Sequence, residues 1–95
     1  MARTRLTSDE IASRLSAAPG WRANGDASIE RDFAFADHIA ALGFVVRVAT
    51  VAETMDHHPS VAWTYNRVNL ALSTHDAGGV TEWDFKLAER INALG

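Results

Sequence analysis

Apolar residues in this chain recur at two spacings, and the switches between them mark out seven elements. Ile11, Leu15 and Ala18 fall at helical spacing behind Thr7-Ser8-Asp9-Glu10, where Thr7 and Glu10 can form a capping box and Leu6 can staple onto Ile11. Pro19-Gly20 closes that helix. Two strands follow, Trp21 to Asn24 and Ser28 to Phe35, joined at Asn24-Gly25, a dipeptide suited to the positive φ angles of a type I′ hairpin. Along the second strand Ile29, Arg31, Phe33 and Phe35 share one face. Arg31 breaks the alternation, which predicts a strand end that frays into solvent.

Asp37 is a good N-cap for the longest helix, predicted to run to about Met55. Ile39, Leu42, Val46 and Ala49 make one stripe, and Phe44, Val48, Val51 and Met55 make another on nearly the opposite side. Gly43, Arg47, Thr50 and Thr54 occupy a narrow arc between them. A helix apolar on two faces needs two covers, one from the sheet and one from a second subunit, so a homo-oligomer is expected. Arg47 and the shortness of the apolar run argue against a membrane span. Val61 to Tyr65 and Val68 to Thr74 read as a second strand pair, and Ala77-Gly78-Gly79 as a loop. Thr81 then caps a last helix with Trp83, Leu87, Ile91 and Leu94 as its stripe. The order predicts an α+β fold in one domain spanning residues 1–95, a four-stranded antiparallel sheet with three helices packed on one face.

Composition narrows the function. At 95 residues the chain buries only about 60–65% of its unfolded surface, which again favours partner subunits. A net charge of −3 argues against direct nucleic-acid binding. The absence of cysteine excludes disulfides and thiolate metal sites. The polar start MARTRLTSDE lacks the apolar core of a signal peptide, so the expected location is cytoplasmic.

The chemistry concentrates between Glu53 and Asp76. His57 and His58 end the long helix before Pro59, and His75 stands seventeen residues after His58 at the end of a strand. Histidine can give and take protons near neutral pH. Adjacent histidines in extended backbone point apart, which suits a grip on a ligand from two directions and does not suit one shared metal, so no metal is expected. Glu53 and Asp56 sit at a helix C-terminus, where acidic residues are slightly unfavourable. Ser73, Thr74 and Asp76 surround His75. Asp84 reads equally well as a member of the Thr81 capping box or of the site, and Trp21 as a core aromatic or a stacking surface. His38, alone at the start of the long helix, reads as a residue without a role in the site. No phosphate-binding glycine loop, dinucleotide fingerprint or nucleophile elbow is present.

These residues resemble the pterin-4a-carbinolamine dehydratase family, also known as the dimerisation cofactor of a homeodomain transcription factor. The resemblance lies in Glu53, Asp56-His57-His58-Pro59, Tyr65-Asn66, Val68, Leu72-Ser73-Thr74-His75-Asp76, Gly79 and Asp84, with Pro19-Gly20-Trp21 near the start. It implies removal of water from a 4a-hydroxytetrahydropterin to give quinonoid dihydropterin, recycling the cofactor of aromatic amino-acid hydroxylases, with no metal or bound cofactor of its own. It assigns His57, His58, His75 and Asp84 to catalysis, with His57 and His75 as the acid–base pair. It places Glu53, Asp56, Ser73, Thr74, Asp76 and Trp21 around the substrate. It also implies a homodimer or homotetramer, and in animal members an additional protein partner, which this chain does not identify. Ser60 and Val61 depart from the acidic residue and tryptophan that many members carry after the proline.

Overall fold

A computed structural model describes residues 4–94, so Met1–Arg3 of the polar start and Gly95 lie outside the described residues. The chain forms helix α1 (Ser8–Leu15), strands β1 (Arg22–Asn24) and β2 (Ser28–Ala34), helix α2 (His38–Met55), strands β3 (Ser60–Thr64) and β4 (Arg67–Leu72), and helix α3 (Glu82–Asn92). A single 3-10 turn, His75–Ala77, stands where strand and loop were expected to meet. The strands form one antiparallel sheet in the order β1-β2-β4-β3, with β4 central and β3 at an edge. This is the predicted α+β order.

Local signals explain the element ends. The Thr7 hydroxyl accepts the Glu10 amide at 3.2 Å while the Glu10 carboxylate accepts the Thr7 amide at 2.9 Å, the predicted capping box. The same pattern opens α3 with Thr81 and Asp84. Asp37 caps α2 through the Ala40 amide at 2.8 Å. The β1–β2 connection is longer than the predicted two-residue turn: Gly25, Asp26 and Ala27 lie between the strands, and only Gly25 has a positive φ. The extra length presents the Asp26 carbonyl to the Val80 amide at 3.1 Å.

One face of the sheet carries the core. Ile29, Val68, Leu70 and Leu72 meet Phe44, Val48 and Ala52 of α2, Leu87 and Ile91 of α3, and Ile11 of α1, all buried. The α2 stripe that packs is Ala41, Phe44, Val48 and Ala52. The other predicted stripe, Ile39, Leu42, Val46 and Ala49, is uncovered in the single chain, with Ile39 70% and Val46 55% exposed. By length and composition alone α2 is long and apolar enough to cross a membrane, but its packing stripe is committed to the sheet.

Arg31 does not fray. Its guanidinium donates to the Asn92 side-chain oxygen at 2.7 Å and the Pro19 carbonyl at 3.2 Å, and lies 4.7 Å over the Phe33 ring. A cation on the inner face is tolerated because these groups satisfy it, and it clasps β2 to the end of α3. His38 also has a structural task. It donates Nδ1–H to the Tyr65 carbonyl at 2.9 Å and stacks on Trp63, tying the start of α2 to the β3–β4 turn where Tyr65 takes φ 50°.

Candidate active site

The C-terminus of α2 sets up the site. Asp56 adopts the left-handed conformation at the helix end, φ 50°, so the chain turns sharply there and the next two side chains diverge. His57 goes inward and is 5% exposed; His58 goes outward. On the other side, Thr74 closes a tight loop: its amide donates to the Gly79 carbonyl at 2.9 Å and its carbonyl accepts the Ala77 and Gly78 amides at 3.1 Å. Gly79 is required there, since a Cβ would stand 2.7 Å from the Asp26 carbonyl oxygen. This loop carries His75 and Asp76 toward the α2 terminus. Asp56, His57, His58, Ser73, His75 and Asp76 line one open cleft of about 200 Å³.

Behind the cleft lies a buried polar network. Asp84 is fully buried, with His57 Nε2 at 2.6 Å from Oδ1. Its other oxygen, Oδ2, accepts the Thr74 hydroxyl at 2.9 Å and the Thr81 amide at 2.8 Å. The Thr74 and Thr81 hydroxyls are 2.6 Å apart. Because Thr74 gives its proton to Asp84, Thr81 must donate to Thr74, which orders the network in one direction. An ionised carboxylate only accepts, so Nε2 of His57 carries the hydrogen and a neutral ring leaves Nδ1 with its lone pair free. No buried side-chain nitrogen or oxygen among the described residues lacks a partner, and Nδ1 has none, so Nδ1 is the ring atom that reaches solvent. The result is a histidine held from behind, lining the cleft, with its second ring nitrogen unpaired.

The expected site residues separate into groups. His57, His58, His75, Asp56, Ser73 and Asp76 share the cleft. Glu53 reaches it through His58, whose Nε2 lies 2.7 Å from the Glu53 carboxylate in an exposed pair. Ser73 gives its hydroxyl proton to the Ala27 carbonyl at 2.7 Å, so toward the cleft it offers only a lone pair. Asp84 and Thr74 lie behind His57: both are buried, and neither lines the cleft. Trp21 does not belong to the site. It is buried in the core, with its indole N–H on the Asn92 oxygen at 2.9 Å and its ring edge-on to Phe33. An apolar ring whose one polar atom finds a core partner gains more from burial than from a cleft wall. Thr81, expected only as a helix cap, is an added member of the network, and Trp83, expected as core, stands 6.4 Å from the His57 ring. The capping pattern already pairs Thr81 with Asp84, but the contact with Thr74 depends on the fold. Among the described residues no three His, Asp or Glu side chains are placed to hold a metal ion.

Residues 4–94 match the family model described as pterin 4 alpha carbinolamine dehydratase. The chain belongs to that family. A protein of Acidobacterium capsulatum, named "Putative pterin-4-alpha-carbinolamine dehydratase", is 51% identical over 90 residues, covering 95% of this chain and 97% of the relative. One of Brucella ovis with the same name is 45% identical over 95 residues, covering 99% and 98%. A solved Brucella melitensis structure, described as a transcriptional coactivator/pterin dehydratase, superposes with a TM-score of 0.89 at 43% identity over 96% of this chain and 98% of that one. A pterin dehydratase-like protein identified as a RuBisCO assembly factor in the alpha-carboxysome has a TM-score of 0.67 at 23% identity, covering 79% of this chain and 88% of that one, a likeness of fold alone.

Proposed function

We propose that this chain is a hydro-lyase that dehydrates 4a-hydroxytetrahydropterin to quinonoid dihydropterin, recycling the tetrahydropterin cofactor of aromatic amino-acid hydroxylases in the cytoplasm. The single domain carries the whole site and needs no metal or bound cofactor. The observation that carries this reading is the buried His57–Asp84 pair, which leaves Nδ1 unpaired on a histidine that lines the same cleft as His75. Family membership supplies the substrate class.

The reaction breaks the C4a–O bond, takes the proton from the adjacent ring nitrogen, and forms the C=N bond between them. His57 Nδ1 takes the nitrogen proton; Asp84 holds Nε2–H and balances the charge that appears on the ring. His75, from the 3-10 turn, protonates the departing hydroxyl to water. His58, steadied by Glu53, orients the ring system, and Asp56, Asp76 and Ser73 line its edge. Each proton transfer of this kind is worth ~10²–10⁴-fold. The test is stopped-flow dehydration of freshly generated 4a-hydroxytetrahydropterin, compared with spontaneous water loss. No acceleration by the native chain refutes the reading.

The exposed Ile39, Leu42 and Val46 stripe of α2 supports self-association into a homodimer or homotetramer through that face. Sedimentation at micromolar concentration should give a mass above that of one chain. A monomer would instead favour a second reading, in which the stripe docks a different protein.

A further inference from the structure

We infer that Thr81 is a positioning residue for the reaction: its hydroxyl, through that of Thr74, holds the Asp84 carboxylate on His57. The inference rests on the dehydratase reading of the cleft and extends it to a side chain that meets no substrate.

Asp84 has none of its surface exposed, and a buried carboxylate is held in place by its donors. Oδ2 has two of them, the Thr81 amide at 2.8 Å and the Thr74 hydroxyl at 2.9 Å. The amide is fixed by the start of α3, whereas a hydroxyl rotates about its C–O bond. The Thr74 oxygen lies between Oδ2 and, at 2.6 Å, the Thr81 oxygen. Thr81 accepts the Trp83 amide at 3.2 Å as the cap of α3. Its own proton goes to Thr74, which leaves the Thr74 proton for Asp84. A hydroxyl that receives a hydrogen bond donates a stronger one, and a buried chain gains along its length. Thr81 therefore reaches Oδ2 twice, directly by its amide and through Thr74 by its hydroxyl.

The side chain and its setting suit this task. Asp37 caps α2, where an acceptor alone is enough. At α3 an aspartate would accept the amide but give no proton to Thr74, while threonine accepts and donates from one atom. Its branched Cβ restricts rotation of the side chain. The backbone just before it is tied on both sides. The Val80 carbonyl accepts the Leu6 amide at 2.8 Å, and the Val80 amide donates to the Asp26 carbonyl at 3.1 Å. Val80 and Thr81 are both fully buried. The relay of Thr81, Thr74, Asp84 and His57 thus starts at an anchored turn and ends at a ring that lines the cleft.

The experiment is a double-mutant cycle of Thr81→Val and Thr74→Val, with Thr81→Ser as the conservative variant and urea unfolding to show that each is folded. Thr81→Val should lower kcat for 4a-hydroxytetrahydropterin by about three- to tenfold, the scale of one hydrogen bond, and leave KM within about twofold. Thr81→Ser should restore kcat. In the Thr74→Val background Thr81→Val should lower kcat by less than about twofold, because the relay is already cut. A residue that only caps the helix would lose stability with kcat unmoved, or lose kcat equally in both backgrounds, and either result overturns the inference. If Thr81→Val does not fold, Thr81→Ala takes its place in the cycle. If the native chain dehydrates nothing, it is the dehydratase reading that fails. The relay is then judged by the low-field ¹H resonance of His57 Nε2–H, which should move in Thr81→Val and return in Thr81→Ser. A resonance that Thr81→Val leaves in place overturns the inference.

Discussion

Replacing Asp84 with Asn removes one charge and almost no volume, and its effect follows from how the carboxylate divides its partners. Oδ2 accepts two protein donors, the Thr74 hydroxyl and the Thr81 amide, while Oδ1 faces only His57. An amide has one oxygen, and placing it on the two donors is the arrangement with fewer clashes. Its NH₂ then points at His57 Nε2, which must become the acceptor. The ring proton moves to Nδ1, and the nitrogen on the cleft can no longer take a proton. The expected loss is ~10²–10⁴-fold in turnover, the whole value of a general base. Substrate affinity should change little, because Asp84 does not line the cleft. Stability should fall by only about 1–3 kcal/mol, since the cap survives and one buried hydrogen bond changes character. Stopped-flow dehydration measures the first effect and thermal or urea unfolding the second. A folded Asp84→Asn protein with turnover within threefold of native would refute the assignment of His57 as the base.

Three further outcomes are expected. His75→Ala, at an exposed residue of the 3-10 turn, should cut turnover by ~10²-fold or more with under about 0.5 kcal/mol change in unfolding free energy; unchanged turnover would remove His75 from the mechanism. Gly79→Ala should destabilise the fold by about 1–3 kcal/mol in urea unfolding, because the added methyl meets backbone that the Val80–Asp26 hydrogen bond holds in place; a neutral result would mean that the loop relaxes freely. Glu10 is held below its ordinary 4.5 mainly by its hydrogen bond to the Thr7 backbone, then by the Thr7 side chain. A lowered carboxyl contributes stability above its unfolded value and loses it as pH falls through the folded one. Glu10→Gln should therefore narrow its stability deficit against native in acid unfolding below about pH 4.5, and a deficit that is flat with pH would contradict this.

Most of the fold could be read from patterning, because helix caps and strand alternation act within a few residues. Thr7 and Glu10, Asp37, and Thr81 with Asp84 all mark real helix starts. The errors arose where a distant group decided the outcome. Arg31 looked like a break in the strand because its partners, Asn92 and the Pro19 carbonyl, lie far off in sequence. Trp21 was open to two readings until Asn92 supplied a partner for its indole. Of the two stripes on α2, spacing alone could not say which one meets the sheet. Asp84 is the instructive residue. Its capping reading holds, and its other oxygen is committed to His57, so one carboxylate serves both the helix start and a histidine that lines the cleft. Thr74 was expected to touch substrate, yet the turn at Gly79 directs its hydroxyl behind His57.

The decisive measurement is the tautomer of His57, read from ¹⁵N chemical shifts and one-bond couplings in labelled protein with the ring in its neutral form. The His57–Asp84 pair as assigned requires hydrogen on Nε2, facing Asp84, and a bare Nδ1, with the pattern reversed in Asp84→Asn. Hydrogen on Nδ1 of the native chain would contradict it.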